Sequence, residues 1–320
     1  MAQHFLLSSK ARTLSLAQVM RLTEDQAFET FKAIRWAETN GEPVCPKCEC
    51  AAVYTYAARR IFKCKACASQ FSATSRTIFA SHKLALRDYL AAIAIFSNGA
   101  KGVAALALGR DLNVSYKTAF VLAHKLREAM MADQENATLG GEVEIDGAYF
   151  GGYVKPENRA EDRKDRRLSE NQSGKRKVVV VMRERAGRTI PFVADTEAQG
   201  ARRIAAKVRK DSTVYADEAK SWDALHAAFA VKRVNHNVAF MDDGVCTNQA
   251  ESFFSRLRRA EIGTHHHISG RYLQAYAGEM AWREDQSRKS NGGQFLLIAA
   301  ATAAHPVSRK WKGYWQRHAG

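Results

Sequence analysis

Four cysteines spaced as Cys45-x2-Cys48 and Cys64-x2-Cys67, with fifteen residues between the pairs, have the chemistry and the spacing to hold one zinc ion. Two thiolates two residues apart grip one side of a tetrahedron, and a short hairpin can bring the second pair back to close it. Turn residues sit inside both grips, Pro46-Lys47 in the first and Lys65-Ala66 in the second. Four protein ligands leave zinc no open position, so such a ribbon performs no chemistry and serves as a rigid, basic module. The plainer reading is four unconnected small apolar thiols. Cys50 and Cys246 fit neither grip and read as ordinary thiols.

A second set of residues could do phosphodiester chemistry. A two-metal site needs carboxylates that converge from separate elements and hold divalent ions about 3.5–4 Å apart, clamping the attacking and leaving oxygens. Asp146 ends the polar face of one strand pattern, Asp217 ends another, and Glu251 stands in the first turn of a later helix pattern. The 33 residues between Asp217 and Glu251 leave room for a helix, a strand and a loop that return the chain to the sheet's end. Ligand sites in α/β sheets lie at strand carboxyl ends, which suits Asp217. Each acid also has a bland reading. Asp146 could be one of three solvated carboxylates on an exposed strand face, Asp217-Glu218 could cap a helix, and Glu251 could complete a capping box begun at Asn248. Asp242-Asp243 is a rival for the third ligand, although it precedes a glycine in an apparent turn.

The elements that must position these groups can be read from patterning. Thr23 and Gln26 begin a helix over 23–39, which Asn40-Gly41 ends. Val53 to Tyr56 and Ile61-Phe62 have strand character within the cysteine hairpin. Ser81 opens an apolar helix over 83–97. A short helix from Lys101-Gly102 to about Arg110, a turn at Asp111 to Val114 and a longer helix capped by Ser115 have helix-turn-helix proportions. Tyr116, Lys117 and His124 are expected to be exposed on that second helix, where DNA contacts would form; the alternative is a plain helical hairpin. From Gly140 the pattern turns to strands. Glu142 to Asp146 alternates, Lys177 to Met182 is continuously apolar as in a strand buried on both faces, and Thr189 to Ala194 follows a Gly187 turn. A helix at 200–209, a strand from Thr213 to Asp217, a helix from Ser221 to Phe229, a strand from Val231 to Val234 and a basic helix from Asn248 to Ile262 complete a mixed α/β layer over about 140–290.

The chain has 320 residues, enough for two or three domains, and 49 Lys+Arg against 33 Asp+Glu give a formal charge of +16. That excess favours a polyanionic partner, because displaced counterions drive binding to phosphates. No apolar run is long enough for a membrane helix, and Phe5-Leu6-Leu7 is too short for a secretory signal core. Paired cysteines without signs of secretion point to metal in a reducing compartment, so a soluble cytoplasmic protein is expected. Residues 155–177 carry nine basic and five acidic side chains and almost nothing apolar, as in a solvated loop. No acidic residue follows Asp285, and Arg309 to Trp315 is cationic and aromatic together, suited either to nucleic acid or to docking on the domain.

The chain resembles the DDE transposases of bacterial insertion sequences that carry an N-terminal zinc ribbon, a group related to the Merlin elements. The likeness is carried by Cys45-Pro-Lys-Cys48, Phe62 to Cys67 and Gln70-Phe71-Ser72, then by Thr77-Ile78-Phe79 and Val114 to Ala119. It continues through Glu144 to Gly152, Tyr215 to Glu218, Val234-Asn235-His236, Asn248 to Ser255 and Gly263 to Ser269. The resemblance implies an α/β ribonuclease-H-like mixed-sheet catalytic core, preceded by a small zinc ribbon and a helix-turn-helix. The implied organisation is a helical lead at 1–41, the ribbon at 42–72, the helix-turn-helix region at 80–132, the catalytic domain at 140–290 and a basic aromatic tail at 291–320. It implies Asp146, Asp217 and Glu251 as catalytic acids for two Mg²⁺ or Mn²⁺ ions, beside a structural Zn²⁺. Arg258, seven residues after Glu251, stands where the family often has lysine, with Arg259 beside it; both, with Tyr116 and Lys117, are the expected DNA contacts. Ala216 and Phe254 stand where threonine and tryptophan are usual, and neither change removes a charge. The implied activity is binding of terminal inverted repeats, cleavage and strand transfer, by a dimer or larger assembly with no membrane partner, acting at the bacterial nucleoid. A DNA-binding regulator descended from such an enzyme, or a nuclease without strand transfer, is the alternative. His236 and His265 to His267 are expected near the site without an assigned role.

Overall fold

The computed structural model of the chain describes residues 5–151, 155–165, 168–171, 174–185, 187–234 and 246–317. They divide into two units, residues 1–132 with 286–320, and residues 133–285.

In the first unit, the short α1 (Leu16–Met20) precedes α2 (Glu24–Arg35), which opens with the expected Thr23–Gln26 capping box. Asn40, in the left-handed conformation, and Gly41 (φ +85°) turn the chain out of the helix. Strands β1 (Val53–Tyr56), β2 (Ile61–Cys64) and β3 (Gln70–Ser72) form an antiparallel three-stranded sheet. Phe62 stacks on Phe28 at 6.2 Å and meets Trp36 edge-on at 5.6 Å, so α2 packs on the sheet through aromatic rings. Arg35 locks the packing by donating to the carbonyls of Ser72, Ala73 and Ser75, and burial lowers its pKa to about 10.

The next helix, α3 (Leu86–Asn98), begins later than Ser81 suggested. The reason is a tertiary cap. Glu24, at the start of α2, accepts the N–H of Leu86 at 2.8 Å and of Arg87 at 3.3 Å, satisfying donors that Ser81 cannot reach. Helices α4 (Ala105–Asp111) and α5 (Tyr116–Glu135) follow, with Ser115 accepting the Thr118 N–H at 3.3 Å. The helix at Asn291–Ala304 returns to pack on α2 and α3.

The second unit is built on a five-stranded mixed sheet of β4 (Glu142–Phe150), β5 (Lys177–Glu184), β6 (Thr189–Ala194), β7 (Thr213–Asp217) and β8 (Ala230–Val234), in the order β6-β5-β4-β7-β8. The β4–β5 and β5–β6 pairs are antiparallel; β4–β7 and β7–β8 are parallel. Val178 to Met182 are fully buried because both faces of β5 are covered. One face packs against α6 (Glu197–Lys207) and the 3-10 helix Lys220–Ala227 through Val180, Ile204 and Trp222. The other packs against α7 (Asn248–Ala260) and α8 (Leu273–Asp285) through Val179, Val181, Phe253 and Met280. The described part of the 155–176 stretch is exposed almost throughout and holds one 3-10 turn at Ser169–Asn171.

Candidate functional site

The two cysteine grips have the same local geometry. Cys45 N–H donates to Cys50 O and Glu49 N–H to Cys45 O; likewise Cys64 N–H donates to Ser69 O and Ala68 N–H to Cys64 O. The residue after each grip, Glu49 and Ala68, takes a positive φ of 60° and 56°. The hairpin register Val53↔Cys64 folds the second grip onto the first. All four sulfurs lie within 4.8 Å of one another, with Cys45–Cys67 at 3.7 Å and Cys48–Cys64 at 3.5 Å. Zinc–sulfur bonds of about 2.3 Å in a tetrahedron require sulfur–sulfur edges of roughly 3.8 Å. The donor set therefore fits zinc. The Cys67 N–H holds the Cys64 thiol down at about 6, favouring the thiolate a metal needs.

In the second unit, Val143 and Ile145 of β4, and Val214 and Ala216 of β7, belong to the α6-side core. The alternate residues Glu142, Glu144 and Asp146, and Tyr215 and Asp217, thus point to the α7 side. The parallel register pairs Glu144 with Tyr215, and two residues further along each strand stand Asp146 and Asp217. Two acids on neighbouring parallel strands consequently share one level and one face, at the end of β7.

Glu251 joins them from α7, and the cause is a buried carboxylate. Glu144 Oε2 accepts the N–H groups of Gln249 at 2.8 Å and Ala250 at 3.2 Å, while Arg185 Nε donates to Oε1 at 2.9 Å. Glu144 is fully buried, unlike the solvated face of the bland reading, because it caps the helix that carries Glu251. The helix starts after Thr247, and Thr247 Oγ1 lies 3.3 Å from Glu251 Oε1, so no Asn248 capping box occupies the third acid.

The acids feel one another. Burial raises the Asp146 pKa to about 7, against the Gly147 N–H bond that lowers it, and the charges of Asp217, Glu251 and Glu197 raise it further. Glu197, in the first turn of α6, is a fourth acid that patterning missed. Its carboxylate lies against Gly147, where a Cβ would stand 3.0 Å from Oε1, and accepts from Ser221 Oγ at 2.9 Å. Burial raises its pKa, and Asp217 adds to the rise. The missed signal was Thr196, which accepts the Gln199 N–H and starts the helix three residues before the expected 200. These hard carboxylate oxygens suit divalent cations. They are spaced more widely than the sulfurs: among the described residues, the cysteines alone bring three or more ligand atoms within 4.8 Å.

Arg258 and Arg259 are exposed at the far end of α7, and Arg259 is held by Ser255 through bonds of 3.0 and 2.8 Å. Tyr116 and Lys117 are exposed at the start of α5. His124 is not: it is fully buried, stacked on Trp311 at 4.2 Å, because the aromatic tail docks over that face of α5. Trp311 and Tyr314 are buried in the same cluster. His265 packs on Tyr276 at 4.6 Å, and His266 and His267 are exposed. Ala216 and Phe254 are both buried, Phe254 against Phe253 at 5.2 Å. His236, Asp242 and Asp243 lie outside the described residues.

Residues 138–285 match the ISXO2-like transposase domain, and residues 22–70 match the transposase zinc-ribbon domain. A relative from Halobacterium salinarum, described as an uncharacterized protein in transposable element ISH50, is 28% identical over 295 residues, covering 88% of this chain and 97% of its own length. No solved structure matches the chain. Among the described residues, no helix is long and apolar enough to cross a membrane.

Proposed function

We propose that this chain, whose residues 138–285 match the ISXO2-like transposase domain and residues 22–70 the transposase zinc-ribbon domain, cuts and joins DNA at Asp146, Asp217 and Glu251. The observation that carries the reading is the shared level and face of Asp146 and Asp217 on parallel strands, with Glu144 fixing the helix of Glu251 beside them. The sheet order, three antiparallel strands followed by two parallel ones, supports a ribonuclease-H-like core at 140–290.

Asp146, Asp217 and Glu251, with Glu197 at the rim, would hold two Mg²⁺ or Mn²⁺ ions. When bound, those ions supply Lewis-acid activation of the attacking oxygen and charge stabilisation of the leaving one. Gly147 N–H, 2.7 Å from Asp146 Oδ1, and Ala219 N–H, 3.2 Å from Asp217 Oδ1, hold each carboxylate in one orientation. That fixed geometry lets water, and then a freed 3′-hydroxyl, meet a phosphodiester in line. Arg258 and Arg259 carry cations along α7 for the DNA backbone. Tyr116 and Lys117, on the α4–α5 pair read as a helix-turn-helix, and the zinc ribbon hold terminal inverted repeats. Pairing two ends and a target calls for a dimer or larger assembly on DNA, acting in the cytoplasm at the nucleoid.

The test is cleavage of labelled element-end DNA with Mg²⁺ by the zinc-loaded protein. Nicking and a joined product are expected, both abolished by D217N. Nicking unchanged in D217N would overturn the assignment of the acids; nicking without joining would make the protein a nuclease, and DNA binding without cutting a regulator.

A further inference from the structure

The unit formed by residues 1–132 and 286–320 contains a cavity of about 460 Å³ between the segment before α3, the first half of α5 and the tail at 311–316. Its size is that of a small-ligand site, which typically spans roughly 300–1,000 Å³. Lys83, Lys117, Lys125 and Lys312 line it, and no carboxylate does. None of these four ammonium groups makes an ion pair among the described residues. Lys125 is half-buried, and burial lowers its pKa with only the charge of Glu128 opposing that. An anion entering the cavity would relieve that cost.

The facing wall is aromatic. Trp311 and Tyr314 are buried against Phe120 at 5.9 and 6.2 Å and form its fixed backing. Trp315 is half-buried at the rim. Its Nε1 donates to the Lys117 carbonyl at 3.1 Å, and Lys117 Nζ sits 5.4 Å from its ring centroid. The indole is thus anchored at one edge with part of its surface open to the cavity. A lone inorganic anion would use the lysines and leave the ring idle. An uncharged aromatic would use the ring and desolvate ammonium groups without recompense. A nucleotide combines a phosphate with a planar base, and stacking on aromatic rings is how strands are held without sequence preference.

We infer that this cavity receives one unpaired nucleotide of a DNA strand, its base against Trp315 and its phosphates on Lys83, Lys125 and Lys312. The choice of DNA rests on the transposase reading above; the site itself is remote in sequence from the acids and needs none of them.

The full zinc-loaded chain is titrated with labelled (dT)12, with an abasic strand of the same length and with a duplex. The (dT)12 strand should quench tryptophan fluorescence and bind roughly tenfold tighter than the abasic strand. The double variant K83Q/K125Q should weaken (dT)12 binding and flatten its logarithmic salt dependence by about 1.4, at about 0.7 per lost contact. Trp315→Phe, which keeps a ring, should retain binding that Trp315→Ala loses. Equal affinity for the abasic strand, or unchanged (dT)12 binding in K83Q/K125Q, would overturn the inference. If the wild type fails to cut element-end DNA while this binding pattern holds, the cleavage reading falls and the cavity assignment stands.

Discussion

Glu144 accepts the backbone N–H of Gln249 at 2.8 Å, and through that bond the strand bearing Asp146 positions the helix bearing Glu251. The Glu144 carboxylate is buried, and it also pairs with Arg185. Replacing Glu144 by Ala leaves two helix N–H groups without that acceptor and takes from Arg185 one of its two carboxylate partners, Glu142 being the other. Urea denaturation should show a loss of about 3 kcal/mol, the usual cost of breaking one side of a buried pair. E144Q keeps an acceptor for the N–H groups and should cost less. In variants that still fold, DNA affinity should hold while the cleavage rate falls, since Glu144 acts by orienting Glu251.

Glu197 lies against Gly147 and raises the Asp146 pKa, so it adds negative charge at the proposed cation site. E197Q should weaken Mn²⁺ binding, measured by calorimetry, and slow cleavage, without loss of thermal stability in the metal-free protein. Stability should rise slightly because a like charge is removed. A large drop in Tm would mean that Glu197 serves only the packing of α6.

The Asp146 carboxyl is raised from 3.8 to about 7, chiefly by burial. Between those values the folded state binds a proton that the unfolded state releases. Metal-free stability should therefore fall as pH rises from about 4 to about 7 and flatten above it. D146N should reduce that slope, leaving the contributions of Glu197 and Asp285, whose pKa values burial also raises. Because a proton and a cation compete for the same oxygens, Mn²⁺ affinity of the wild type should rise over the same interval.

The cysteine cluster predicts a separate dependence. Substituting Cys64 by Ser removes the sulfur that the Cys67 N–H holds as thiolate. Bound zinc, read by atomic absorption, should drop from one to none per chain. The α2–ribbon aromatic cluster should then loosen, seen as loss of near-ultraviolet dichroism. The acid-bearing unit should keep its own melting transition.

What could be read in the sequence was what is local. The spacing of Cys45, Cys48, Cys64 and Cys67 needs only a hairpin, and the Thr23–Gln26 box and the apolar run of β5 are set by residues a few positions apart. The strand ending at Asp217 was equally legible, whereas the one expected over Glu142–Asp146 runs on to Phe150, because β5 pairs with it along its whole length, and Asp146 stands in mid-strand. What escaped was set by distant partners. The start of α3 depends on Glu24, which lies 62 residues away from Leu86. Glu144 looks like a solvated acid until α7, 105 residues on, delivers its N–H groups. His124 looks exposed until the tail brings Trp311 over it. Glu197 escaped because the cap at Thr196 that starts its helix was passed over, and a lone acid there has no spacing to mark it.

The most direct measurement is electron paramagnetic resonance of Mn²⁺ titrated into the zinc-loaded protein. Two ions per chain are predicted, magnetically coupled at about 3.5–4 Å, with the coupled signal lost in D146N and in D217N while zinc content stays constant. A coupled pair that survives D217N, or Mn²⁺ bound only as isolated ions, would contradict the account.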